Sequence, residues 1–307
     1  MKLSHTLRAT SAVFDDPNLV SSGGLVPVLA LAESAGLGAL TDEHLSVPTD
    51  KGANAGLKVS SLVSGMVAGA DSIEDMALLR HGGMGRIFAH AYAPSTLGSF
   101  LRAFTFGHVR QLDAVATRFL LGLAEHTPLV VGLNDPDGYV LVDIDDTIVE
   151  VHGYTKQGSG YGYSGVRGLN ALLATVTTKA SAPVILAQRL RRGSCGSPRG
   201  GKRLVADALS TLSSLATNQA GAKVLLRADS AFYGHDMVNT ARRKGAEVSI
   251  TVRLDTKVRA AIAQIPADAW ETIAVHRRDL RPGHRPLDLQ GRGRRDRLHR
   301  VHLQEEG

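Results

Sequence analysis

Three carboxylates interrupt an otherwise apolar run. In VLVDIDDTIVEVHG, Val140 to Gly153, Asp143, Asp145 and Asp146 sit among β-branched residues that read as a strand. A carboxylate buried there is costly without a positive partner, either a basic side chain or a metal ion. A second acid, Asp229, closes another apolar run in KVLLRADSAFYG, just before a small-residue turn and a helix. If Asp145 and Asp229 stand at neighbouring strand ends, the pair suits Mg²⁺ or Mn²⁺. Two such ions about 4 Å apart activate the attacking oxygen and stabilise the leaving oxygen of an in-line phosphodiester displacement.

Other chemistries fit less well. A helix–loop–helix calcium site starting at Asp143 needs glycine at its sixth position and glutamate at its twelfth, where Ile148 and Tyr154 stand. Asp143-Ile-Asp145-Asp146-Thr147 also fits the D-x-D-x-T signature of haloacid-dehalogenase-like phosphatases, with Asp143 as nucleophile and Asp145 as general acid. That family has a late Gly-Asp-x-x-x-Asp-like metal cluster, which Ala228-Asp229 does not match. Gly160-Tyr-Gly162-Tyr-Ser-Gly165 satisfies G-x-G-x-x-G, but a strand-like segment follows where a dinucleotide fold needs a helix. It reads as a flexible connection between strands, with no cofactor. His81, His90, His108 and His126 lack ligand spacing.

The charge pattern names a partner. The 307 residues carry a formal charge of +6 and a pI near 9.6. From Val151 to Ala206 there are nine basic residues and no acidic one. Within it the glycine-rich RLRRGSCGSPRGGKR offers Arg189, Arg191, Arg192, Lys202 and Arg203 as phosphate contacts, so a polyanion such as DNA is the expected partner. The single cysteine, Cys195, excludes a disulfide framework and fits a reducing cytosol. With neither a signal pattern nor a charge-free membrane-length run, a cytoplasmic protein without membrane association is expected.

The elements that must position these residues follow from periodicity. After an N-terminal arm, residues 1–19, helical apolar spacing fills residues 20–134, ending in the turn-rich Asn134-Asp-Pro-Asp-Gly138. From residue 135 to 274 the period changes. Three strands, a helix, a strand, a helix and a strand predict a mixed α/β domain. Asp71-Ser72 and Pro94-Ser95-Thr96 are expected to open helices.

The pattern DIDDT, then RLRRG, then VLLRADSAFYG, preceded by GADSIEDMALLRHGG and APSTLGSFLRAFTFGHVRQLD, resembles the DDE transposases of bacterial insertion sequences. More narrowly, it is similar to the group whose ribonuclease H-like domain carries a β insertion, over about Gly23 to Ala274. The resemblance implies a helical N-terminal domain that recognises element ends, followed by an α/β ribonuclease H-like catalytic domain. It maps the first two catalytic acids to Asp145 and Asp229. It also implies cutting and joining of element ends and target DNA, with the chain acting as a homodimer in a synaptic complex, in the bacterial cytoplasm and nucleoid.

The family's third acid is a glutamate in Y-x-x-R-x-x-x-E-x-x-x-x-x-x-K on a late helix. Glu247, Glu271 and Glu305-Glu306 do not satisfy it, so the catalytic domain is expected to be incomplete and the chain inactive, a DNA-binding remnant being the related alternative. From Arg277 to Gly307 the texture changes to nine arginines against five acids without strand or helix periodicity. Back-translated with GC-rich codons and read one nucleotide later, this stretch encodes a string resembling the family's own continuation. A frameshift near Val275 and a disordered, out-of-frame tail over residues 275–307 are therefore expected.

Overall fold

A computed structural model describes residues 16–152, 156–216, 222–275 and 298–303, so most of the N-terminal arm lies outside it. The helical segment contains α1 (Leu25–Ser34), α2 (Leu37–His44), α3 (Ala55–Val67), α4 (Pro94–Arg102) and α5 (Phe106–His126). One apolar run supplies both α1 and α2; it breaks where Gly36 takes a φ of 84°, a left-handed conformation cheap only for glycine. Pro94 occupies the first turn of α4, where its missing N–H has no intrahelical partner to lose. At the other expected start, Ser72 Oγ accepts from the Asp75 N–H at 3.3 Å and the Ser72 N–H donates to Asp75 Oδ2 at 2.9 Å, where the 3₁₀ helix Glu74–Arg80 begins. Lys58, 5% exposed, is satisfied internally: its Nζ donates to the carbonyls of Lys51 and Ala53 at 2.8 and 2.6 Å.

The sheet is built from β1 (Tyr139–Glu150), a two-residue β2 (Gly160–Tyr161), β3 (Arg167–Thr178), β4 (Ser181–Arg192), β5 (Lys223–Ala228) and β6 (Glu247–Ile250). Strands β1, β3 and β4 form an antiparallel meander. Helix α6 (Gly201–Leu215) then carries the chain across so that β5 pairs with β1 in parallel, and α7 (His235–Arg243) does the same for β6 beside β5. The order β4-β3-β1-β5-β6, antiparallel on one side of β1 and parallel on the other, is that of a ribonuclease H-like sheet. The sequence predicted these elements in this order, except for β2.

Alternation along the strands decides where the acids go. Val140, Val142 and Ile144 of β1, Leu172, Ala174 and Val176 of β3, and Leu226 of β5 share one buried face. Leu204, Val205, Ala208, Leu209 and Leu212 of α6 pack on that face, each large side chain contributing roughly 1.5–3 kcal/mol of burial. Asp143 and Asp145 therefore project from the opposite face, at no cost to the core.

The structure divides the chain after Ile250, not at residue 134. Leu120 of α5 belongs to the sheet core, and Thr178 Oγ1 donates to the Val131 carbonyl at 2.5 Å, so the helical and sheet segments share one unit. The second unit begins at Thr251. It holds α8 (Thr256–Ala263), capped by Asp255, and β7 (Trp270–Val275) paired in parallel with β8 (Leu298–Leu303). No regular element was expected after Ala274; β8 differs because a ladder with another strand, not the segment's own periodicity, defines it. Residues 276–297 and 304–307 of the expected tail lie outside the described residues.

Candidate catalytic centre and nucleic-acid interface

The last matched pair of the parallel β1–β5 ladder is Ile144 with Ala228. Asp145 and Asp229 each follow that pair by one residue. The backbone of Asp229 stays extended, φ −79° and ψ −179°, so side-chain alternation continues through it. Both carboxylates thus leave neighbouring strands, about 4.8 Å apart, on the same face. Both residues are exposed. Asp145 Oδ1 accepts from the Asp146 N–H at 2.8 Å, and Asp229 Oδ1 accepts from the Ala231 N–H at 2.9 Å. Asp229 is therefore also the cap of the 3₁₀ turn Ser230–Phe232. Neither acid has a basic side chain as ion-pair partner among the described residues.

The other two strand acids do have basic partners. Arg227 Nε and Nη2 donate to Asp143 Oδ1 and Oδ2 at 2.6 and 2.7 Å, a bidentate pair that raises the guanidinium above its ordinary value. With both oxygens held, Asp143 is a poor phosphatase nucleophile. Asp146 lies on the core side and accepts from Arg191 Nη2 at 2.9 Å, Asn170 Nδ2 at 2.6 Å and Ser197 Oγ at 3.1 Å.

That network changes the role of one expected DNA contact. The Arg191 side chain is 8% exposed, and it also donates to Asn170 Oδ1 and to the carbonyls of Ser197 and Arg199. It ties the 193–200 loop to β1 and β3 and is not free for a phosphate. A linear count of basic residues cannot make this distinction, because Arg191 and Asp146 stand 45 positions apart. Arg189 is likewise drawn inward, its side chain 15% exposed and paired with Asp207; burial, then the nearby Arg110, pushes its guanidinium down from the ordinary value.

The remaining cations do face solvent. Arg192 is exposed at the end of β4. Lys202 and Arg203 of α6 line a groove of about 360 Å³ whose other wall is Thr240, Arg243 and Lys244 at the end of α7. Lys202 pairs with Asp236 at 3.4 Å and Arg203 with Asp207 at 3.3 Å, exposed pairs of the kind a phosphate replaces at little cost. Arg243 and Lys244 were missed at the sequence level; Arg242-Arg243-Lys244 looks like the usual cationic helix end until α7 is packed beside α6. A β-carbon on Gly201 would lie 3.3 Å from Met237 Sδ and 3.9 Å from Phe232, so the start of α6 backs directly onto the segment after Asp229.

Two hard carboxylate donors side by side, without a competing basic partner, fit a divalent cation of the Mg²⁺ type, which takes one or two carboxylates and completes its shell with water and phosphate. Among the described residues, no group of three His, Cys, Asp or Glu side chains surrounds such a position. No single helix there is long and apolar enough to cross a membrane.

Residues 5–290 match the family model described as Transposase DDE domain group 1. No curated protein matches the chain. Among solved structures, the piggyBac transposase synaptic complex with hairpin DNA is similar at 13% identity and a TM-score of 0.33, over 77% of this chain and 45% of that one. The Mos1 transposase paired-end complex with left transposon end is similar at 10% identity and a TM-score of 0.23, over 66% and 60%. The Drosophila P element transposase strand transfer complex is similar at 10% identity and 0.22, over 67% and 50%. The chain thus spans roughly half the length of these structures.

Proposed function

The chain belongs to the transposases with a DDE domain, group 1, and from that premise we propose that it binds the DNA of a bacterial insertion sequence, with Asp145 and Asp229 as two of the acids for phosphodiester cleavage and strand transfer. The observation that carries this reading is the Ile144–Ala228 pairing, which sets the two acids on adjacent parallel strands. Mg²⁺ or Mn²⁺ bound between them would polarise the phosphodiester and activate the attacking hydroxyl. The chain's own contribution is to hold two carboxylate oxygens in place through the Asp146 and Ala231 amides. Lys202, Arg203, Arg243 and Lys244 carry the flanking backbone along the α6–α7 groove, and Arg192 meets it at the end of β4. The helical segment reads element ends, and two copies pair them.

Because no segment satisfies the third-acid pattern, these 307 residues on their own bind DNA and do not cut it. The phosphatase reading is disfavoured by the Arg227 clamp on Asp143. The test combines three measurements on the purified chain. Duplex DNA should bind with steep salt dependence, Mn²⁺ should raise the melting temperature, and a generic phosphatase substrate should stay intact. Absence of DNA binding at low salt defeats the reading; Mg²⁺-dependent nicking defeats the claim that the chain is inert alone.

A further inference from the structure

Between β1 and β3 the chain passes through a glycine-rich loop that the catalytic reading does not use. Its backbone is pinned where glycines cross. A β-carbon on Gly193 would lie 2.0 Å from the Gly168 carbonyl oxygen and 2.4 Å from that of Gly160; on Gly162 it would meet the Gly193 oxygen at 2.5 Å. On Gly168 it would strike Ile148 Cγ2 at 2.6 Å. Only backbones without side chains approach so closely, so the loop is seated directly on Gly193 and the start of β3. The Gly193 N–H donates to the Gly158 carbonyl at 3.0 Å, and the Gly165 N–H closes a turn on the Gly162 carbonyl at 3.1 Å.

This seating holds two aromatic rings in solvent. Tyr161 is 68% exposed on β2, and Tyr163, at the first central position of the turn, is 110% exposed. Exposed rings on a tethered loop lose the burial that would stabilise them, and amphipathic aromatics held this way suit contact with a π-face. Arg192 lies against the same loop: a β-carbon on Gly158 would touch its Cγ at 3.8 Å. Rings interleaved with a cation are how proteins hold unpaired nucleotides, stacking on bases while the guanidinium meets phosphate. Tyr161 pairs with Arg167, six residues along β3 from Leu173, the partner of Asp145. At about 3.3 Å per residue this is roughly 20 Å along the sheet, the length of about six nucleotides.

We propose that Tyr161 and Tyr163 form a stacking platform for unpaired DNA bases beyond the end of β1. The proposal rests on the DNA-binding reading and adds a preference that backbone contacts alone do not produce. It implies that the bound DNA is locally unpaired where it meets this loop.

The test compares a blunt duplex with the same duplex extended by a single-stranded overhang containing 2-aminopurine, at fixed salt, using the full chain. Wild type should bind the overhang duplex more tightly and quench its fluorescence. Tyr161→Ala with Tyr163→Ala should weaken overhang binding by about tenfold or more and abolish quenching, with blunt-duplex affinity and melting temperature unchanged. Tyr161→Phe with Tyr163→Phe should keep both signals, since the ring and not the hydroxyl stacks. Equal wild-type affinity for both duplexes, or an alanine variant that keeps the preference or weakens both duplexes alike, overturns the platform while DNA binding stands. No binding to either duplex overturns both readings.

Discussion

Asp143 and Arg227 face each other across the parallel β1–β5 ladder, joined by two hydrogen bonds at 2.6 and 2.7 Å, one turn of the pleat before Asp145 and Asp229. The pair gives Arg227 an acid of its own and so keeps the guanidinium away from the neighbouring acids. It is partly exposed, so Asp143→Ala or Arg227→Ala should cost only about 1 kcal/mol in urea unfolding, with a coupling of similar size in the double-mutant cycle. A coupling of zero would make the contact incidental.

Asp145→Asn and Asp229→Asn should each leave the metal-free protein as stable as wild type or more so, because each removes one of two adjacent like charges. Both should abolish the rise in melting temperature with Mn²⁺ if the acids share an ion. An undiminished rise in either variant would remove that acid from the proposed site.

Arg191 and the groove cations should separate cleanly. Arg191→Ala leaves the half-buried Asp146 without its charge partner and should cost up to about 3 kcal/mol of stability, the low end for a broken buried pair. Replacing Lys202, Arg203, Arg243 and Lys244 with alanine should barely change stability. It should flatten the slope of log affinity against log salt by about 0.9 for each phosphate that the variant no longer neutralises. The reverse pattern would return Arg191 to the DNA surface.

Acid stability carries two opposite signatures. Burial raises the Asp113 carboxyl above its ordinary 3.8, against the pull of Arg110 and Arg189. The folded state then binds that proton more tightly than the unfolded state, so ionisation weakens folding above the raised value and the penalty disappears below 3.8. Asp113→Asn should therefore stabilise the protein at neutral pH, with the gain vanishing as pH falls below about 4. Asp75 runs the other way: the Ser72 hydroxyl, then its amide, lowers the carboxyl, so that contribution is present above 3.8 and lost on acidification below it. Urea melts of Asp113→Asn and Ser72→Ala across pH 2.5–7, about the span of these titrations, check both signs.

Strand identity was legible in the sequence because β-branched runs with a period of two reveal themselves locally, and Asp145 and Asp229 stood out as charges at strand ends. What each charge touches was not legible. The sequence treats Asp143, Asp145 and Asp146 as three similar acids, whereas the sheet gives the first to Arg227, the third to Arg191 and leaves the second without a basic partner among the described residues. Arg191 looked like a DNA contact for the same reason, since burial of a charged side chain depends on strands far away in the chain. The division after Ile250 was also hidden, because Leu120 joins the sheet core from a helix whose own periodicity is ordinary.

The parallel register of β1 and β5 also sets an order in time. The β1–β3–β4 meander closes through neighbouring hairpins, whereas Asp143 meets Arg227 across 84 positions of chain that include all of α6. Long-range parallel pairing is slow because loop-closure entropy must be met before any ladder bond rewards it. A chain emerging from the ribosome therefore exposes Asp145 well before Asp229 exists beside it. The acid pair exists only once β5 has paired with β1, so a molecule that lacks that pairing has no such centre at all.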